Sequence, residues 1–388
     1  MNKKFRIKEI ITVTISILLA IGLTELTARF IYKNSEKKTD RLTQKEFIQK
    51  YDQVYSNKII YTKKFFEEQM KFPKMKYDVK KKIWRLIDHK SENFNTKNKK
   101  RFTSFANINP KNYIHIFGGS TIFNVEVSDQ YTVASLLQEY VNLSGKNFNV
   151  INHGVVSDMT HTQNIRLREA ALKKNDIVIF YSGPNDIGFI LQRNNKSGVN
   201  HDWINGHAVK TNIYQYNFFE RFIIKLHNIF YKRYIFKILN ENITNKKINE
   251  VNISDEILSS NVKFLQENYL SQIIMAKNYS EEKEVHFFNL IHPNLYSKKA
   301  VNLTQIEKFI IKNEQLTKND PKKYYNLGYP LLRDIIKNEN LELYSFDLTN
   351  IFDNNKQEIF VGDAIHVNHI GNKIIAKSIF KIIKEKIN

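Results

Sequence analysis

The pattern of apolar and polar positions changes character along the chain. From Lys111 onward, short apolar runs alternate with segments whose apolar residues recur at helical spacing. "NYIHIFGG", "FNVINHG", "NDIVIFYSG", "EVHFFNLIHP" and "LELYSFDLT" read as strands. The third is the kind of continuous apolar run that a parallel strand covered on both faces shows. "TVASLLQEYVNLSG" and "THTQNIRLREAALKK" read as helices, and "VNHIGNKIIAKSIFKIIKEK" as the last one. Five strands with helices between them predict an open, doubly wound α/β sheet, whose sites lie at the carboxyl ends of the strands.

Other stretches depart from that alternation. Residues 194–255 are aromatic and basic, which fits a helical cap over a site or a surface resting on a membrane. Residues 297–340 read as a helical insertion between the last two strands. Residues 33–108 are polar, Lys-rich and weakly periodic, and read as a membrane-proximal lead with "RLTQKEFIQKYDQVY" as its best helical piece.

At the N-terminus, Lys3, Lys4, Arg6 and Lys8 precede an apolar run. Its charge-free part, Ile10 to Thr24, is short against the roughly 20 residues a span needs and would suit a signal peptide. Ile10 to Tyr32 is long enough, lacks a small-x-small cleavage site, and places Glu25 and Arg29 at pairing distance i, i+4. A retained transmembrane helix fits better than a cleaved signal. The expected organisation is a cytoplasmic 1–9, an anchor at 10–32, a lead at 33–108 and a catalytic domain at 109–388. The basic start puts that domain outside the cytoplasmic membrane of a bacterium, periplasmic or extracellular.

Composition changes the picture little. The chain has 388 residues, 42% of them apolar, enough for one large domain plus attachments or for two modest domains. Cysteine is absent, which excludes disulfides and thiolate metal sites. The net charge of +21 raises nucleic acid as a partner. The lysines are scattered, however, and no helix-turn-helix or RNA-binding signature appears, so no nucleic-acid partner is expected. The charge suits an anionic membrane surface or anionic glycan.

Four short motifs carry chemistry. Ser120 follows the first strand in "GGST", Gly154 the second in "NHG", and Asn185 the third in "GPND"; Asp363 and His366 form "DAIH" before the final helix. Each alone is ordinary loop chemistry. Together, each at a strand or helix edge, they fit one mechanism. A serine hydroxyl needs a base to become a nucleophile, and His366 can supply it. Asp363, three residues earlier, can reach the other imidazole nitrogen. The Ser120 and Gly154 N–H groups and the Asn185 amide are candidate oxyanion donors.

In these motifs the chain resembles the SGNH, or GDSL, hydrolases, whose blocks carry Ser, Gly, Asn and His; the matches are Ser120, Gly154, Asn185 and His366. "GGST" stands where the family name spells Gly-Asp-Ser-Leu. The resemblance covers about residues 111–385. It implies a flavodoxin-like, five-stranded parallel sheet, here with helical insertions, and an esterase without cofactor. The anchor makes the chain similar to membrane-attached members acting on envelope polysaccharides. The expected reaction is removal or transfer of an O-acyl group, above all O-acetyl, from an envelope glycan through an acyl-enzyme on Ser120. A lipid-acting esterase at the membrane surface and a non-catalytic binding protein that kept the fold are the alternatives. His153 and His292 read as core or loop histidines, His369 lacks an Asp three residues before it, and no metal site is predicted.

Overall fold

The computed structural model describes residues 60–78, 80–191, 255–315 and 321–387, with Thr12 and Ser16. The proposed anchor, apart from those two residues, and nearly all of segment 194–255 lie outside the described residues. Among the described residues no helix is long and apolar enough to cross a membrane.

The five expected parallel strands are present. They are β5 (Asn112–Gly118), β6 (Phe148–Asn152), β7 (Ile177–Ser182), β8 (His286–Ile291) and β9 (Ser345–Asp347). All six residues of β7 are buried, as its unbroken apolar run requires. The parallel part of the sheet runs β6-β5-β7-β8-β9, so the chain winds outward in both directions from β5. The gap between β5 and β7 is therefore a switch point, where connections leave for opposite faces and a crevice opens.

Among the described residues the sheet has seven strands rather than five. Two-residue strands β3 (Thr96–Lys97) and β4 (Lys100–Arg101) form a hairpin, and β4 pairs antiparallel with β6 through Arg101 and Asn152. Asn98 and Lys99 turn the hairpin with φ of 52° and 62°, the left-handed pair that a tight hairpin requires. A further hairpin, β1 (Met75–Asp78) and β2 (Ile83–Leu86), stands as its own sheet after helix α1 (Lys63–Gln69). The stretch read as a lead thus supplies sheet edge. Strands of two residues are too short to show alternation, which is why periodicity misses them.

One-turn helix α2 (Ser120–Phe123) follows β5. Helix α3 (Val133–Leu143) starts at Thr132, whose hydroxyl accepts the Ser135 N–H. Helices α4 (Thr160–Leu167), α5 (Pro184–Leu191) and α6 (Asp255–Glu282) precede β8. The insertion before β9 is indeed helical, with α7 (Gln305–Gln315) and α8 (Pro321–Asn338). Helix α9 (His369–Ile383) is capped by Asn368, which accepts from Ile370 and Gly371 N–H. Phe117, Val178, Phe180 and Phe287 bury one sheet face against α4, α5, α6 and α8. Alternation turns Ile114, Ile116, Ile177 and Ile179 to the other face, where α3 and α9 pack on each other.

Candidate active site

The crevice at the switch point is where the sequence motifs meet. Ser120 is the first residue of α2, so its N–H lies outside that helix's own hydrogen-bond ladder. The glycine before it answers a spatial need. A Cβ on Gly119 would lie 2.4 Å from Asn185 Nδ2, so the glycine leaves the Asn185 amide room beside the Ser120 turn.

Ser120 Oγ lies 2.7 Å from His366 Nε2, and His366 Nδ1 lies 2.6 Å from Asp363 Oδ2. The other Asp363 oxygen accepts the N–H groups of Ile365 at 2.8 Å and His366 at 2.7 Å. These two bonds curl the loop so that the imidazole turns toward Ser120. Burial opposes charge on Asp363, but the imidazole and the two N–H donors outweigh it and hold the carboxyl below its ordinary value. Burial likewise disfavours the imidazolium. The carboxylates of Asp363 and Glu126 outweigh that and push His366 up to about 10. A serine hydroxyl, an imidazole and an orienting carboxylate so joined can activate the hydroxyl as a nucleophile.

Asn185 lines the same cleft as Ser120, with Gly119, Thr121, Asp158 and Ile365. One Asn185 amide hydrogen is spent on the Asp158 carbonyl at 2.9 Å. That bond fixes the amide plane, and an NH₂ group has a second hydrogen to offer. The next residue locks the turn: Asp186, pushed up to about 6 by burial, accepts the Thr160 N–H at 3.0 Å and hydroxyl at 2.7 Å.

Gly154 does not serve as the sequence suggests. Its N–H donates to the Asn152 side chain at 2.9 Å. A Cβ there would lie 2.5 Å from the Phe123 nitrogen. Gly154 therefore lets the β6 turn press against the backbone of α2, and its donor is already engaged. The signal for this is invisible locally, because the crowding partner is more than one helix away in sequence.

His153, His292 and His369 have other partners. His153 stacks on Phe117 with ring centroids 4.3 Å apart and meets His115 at 3.0 Å. His292 is buried against Tyr181, and burial pushes its imidazole down to about 3. His369 opens α9 and meets the Tyr61 hydroxyl at 3.1 Å.

Three residues that support the site were missed. Arg101 is fully buried. It donates to the carbonyls of Phe123, Asn124 and Val127 at 2.6–2.9 Å and to Asp129 at 3.0 Å, while the rings of Phe72, Phe94 and Phe123 surround its guanidinium. It grips the loop that leaves Ser120. Glu314, from α7 of the insertion, accepts the Ala364 N–H at 3.0 Å and the Tyr296 hydroxyl, fastening the His366 loop. Glu126 stands beside His366, with 3.8 Å between its Oε1 and Nε2.

No protein-family model and no curated protein matches this chain. Among solved structures it is similar to an acetyl xylan esterase, AlAXEase, at 14% identity, with 70% of this chain and 99% of that one covered and a TM-score of 0.37. It is also similar to a lipolytic protein of the G-D-S-L family from Veillonella parvula, at 10% identity, 70% and 98% coverage and a TM-score of 0.36. A lipase/acylhydrolase from Enterococcus faecalis aligns at 14% identity, 71% and 96% coverage and a TM-score of 0.38. In strand order and in the placing of Ser120, Asn185, Asp363 and His366, the chain resembles the SGNH, or GDSL, hydrolases.

Proposed function

We propose that this chain is a serine esterase of the SGNH type that removes or transfers a short O-acyl group, above all O-acetyl, on an envelope glycan. The observation that carries the reading is the unbroken chain from Ser120 Oγ through the His366 imidazole to Asp363. Ser120 Oγ attacks the ester carbonyl while its proton moves to Nε2. Asp363 holds the Nδ1–H and balances the imidazolium. The oxyanion lies against the Ser120 N–H and the Asn185 amide. The proton then passes to the departing alkoxide, leaving the acyl group on Ser120. Water completes hydrolysis; a sugar hydroxyl completes transfer.

Two features support the finer reading. The cleft beside Ser120 has a cavity volume of about 10 Å³, room for one water-sized group, which suits the methyl of an acetyl better than a long chain. A separate groove of about 500 Å³ has Lys81, Lys82, Arg168, Asn164, Asn268 and Gln272 around an apolar floor of Met159, Ile165, Phe264 and Met275. Cations and amides beside an apolar floor suit an acidic sugar chain, whose hydroxyls and carboxylates meet the polar groups while a ring face lies on the apolar ones. In this reading residues 10–32 anchor the enzyme in the cytoplasmic membrane with its domain facing outward.

The test is turnover of p-nitrophenyl acetate, butyrate and octanoate by the wild type and Ser120→Ala. Acetate should be the best substrate and the variant inactive. Faster cleavage of octanoate would sink the short-acyl reading, and equal turnover by Ser120→Ala would sink the site.

A further inference from the structure

Glu126 is a buried carboxylate beside the reacting pair that the triad leaves unused. The residue is only 7% exposed, in the loop that Arg101 grips. Its Oε1 lies 3.8 Å from His366 Nε2, the same nitrogen that meets Ser120 Oγ at 2.7 Å. Its Oε2 is buried without a hydrogen-bond partner among the described residues. The imidazole is thus flanked by a carboxylate at each nitrogen, Asp363 on Nδ1 and Glu126 on Nε2.

A buried carboxylate without a full set of partners is costly unless an opposite charge sits near it. Burial pushes the Glu126 carboxyl above its ordinary value, and the charge on His366 pulls it back; the charged or titratable groups facing it are His366, Asp363, Arg101 and Tyr61. Those facing His366 are Asp363, Glu126, Glu314 and His292. Arg101 already has Asp129 as its partner. The cation that Glu126 can balance is therefore the one that appears on His366 when Ser120 gives up its proton.

We propose that Glu126 is a positioning residue for the reaction, a second counter-charge on the His366 imidazolium that sets the pH range in which Ser120 is activated. The inference rests on the esterase reading of the site. Glu126 neither bonds to substrate nor keeps the proton. As the Ser120 O–H bond breaks and the bond from Oγ to the acyl carbon forms, the proton goes to Nε2 and the charge pair with Glu126 strengthens. When the alkoxide leaves, the proton departs with it and the pair relaxes. The same attraction makes the resting imidazole hold a proton to higher pH, so the base is neutral only at the alkaline end.

The sign follows. A raised imidazole is the protonated, idle form at low pH and becomes a base as pH rises. Removing the Glu126 charge destabilises the imidazolium, so the base becomes available at lower pH. An opposite charge within a few ångströms moves a titration by about 1–3 units. The experiment measures kcat/KM for p-nitrophenyl acetate over about pH 5–11 for the wild type, Glu126→Gln and Glu126→Asp. In parallel, the His366 Cε1–H resonance is titrated by NMR, a readout that needs no turnover. Expected are a rising limb and an NMR titration both displaced by about 1–3 units to lower pH in Glu126→Gln. The plateau of kcat/KM should be reduced as well. Glu126→Asp, which keeps the charge, should stay near the wild type and guards against a Gln variant that fails to fold. An imidazole titration that is the same in wild type and Glu126→Gln overturns the inference alone. Absence of turnover by the wild type overturns the esterase reading and, with it, the positioning role of Glu126.

Discussion

The loop that carries Ser120 and the loop that carries His366 meet at 2.7 Å, yet they are built in different ways. The His366 loop is mostly self-made. Asp363 accepts two N–H groups within three residues, and Val361 N–H reaches the His366 carbonyl at 2.9 Å. Its fastenings to the rest of the molecule are few: Ala364 accepts the Leu295 N–H at 2.8 Å and gives its own N–H to Glu314. The Ser120 loop depends on a remote residue. Arg101 binds three of its carbonyls and Asp129 from β4, a short antiparallel strand that precedes the whole parallel sheet. Both loops carry a motif, but the residues that close the His366 loop stand beside it in the sequence and those that close the Ser120 loop do not.

The largest effect should erase the difference. Ser120→Ala and His366→Ala break opposite halves of one device, so each should cost on the order of 10⁶ in kcat, and the double variant hardly more. Steady-state turnover of p-nitrophenyl acetate checks this; additive losses would separate the two loops chemically.

Next comes the grip on the nucleophile loop. Arg101→Met keeps an unbranched stem and removes the charge, taking the donor from three carbonyls and leaving Asp129 with Asn95 alone. Loss of one partner from a buried pair costs about 3–5 kcal/mol, so denaturant unfolding should register a deficit of that size. A deficit below about 1 kcal/mol would mean that water replaces the guanidinium, and the loop is less dependent on Arg101 than its contacts suggest.

Asn185 probes the floor between the loops. Asn185→Ala should lower kcat by about 10²–10³ with little change in KM. An unaltered kcat would leave the Ser120 N–H as the donor that matters. Gly154→Ala should act on stability, by about 1–3 kcal/mol, because a Cβ 2.5 Å from the Phe123 nitrogen forces α2 to move. A variant as stable as wild type in urea would remove the packing role assigned to this glycine.

The smallest effect should come from the sparser fastening of the second loop. Glu314→Ala frees the Ala364 N–H and should lower kcat by about tenfold, a net hydrogen bond's worth of about 1.4 kcal/mol. Losses equal to those of Arg101→Met in unfolding experiments would show that both loops lean on distant groups alike.

The sequence by itself determined a good deal of this protein. Wherever structure is closed within one run of residues, the signal was local and readable. The apolar runs located the five parallel strands, because a strand covered on both faces has no polar side to show. The Gly-Gly turn, "GPND" and "DAIH" located Ser120, Asn185, Asp363 and His366, because each motif is held by hydrogen bonds to its near neighbours or by the strand end it follows. Only the tertiary structure decided the rest. It placed Arg101 under the nucleophile loop, Glu314 behind the base loop and Glu126 beside Nε2, and it showed the Gly154 N–H to be occupied. In these cases the partners come from different segments, and what joins them is burial. A charge or a backbone donor taken out of water must find its partner wherever the fold brings one near, and no spacing along the chain records that distance.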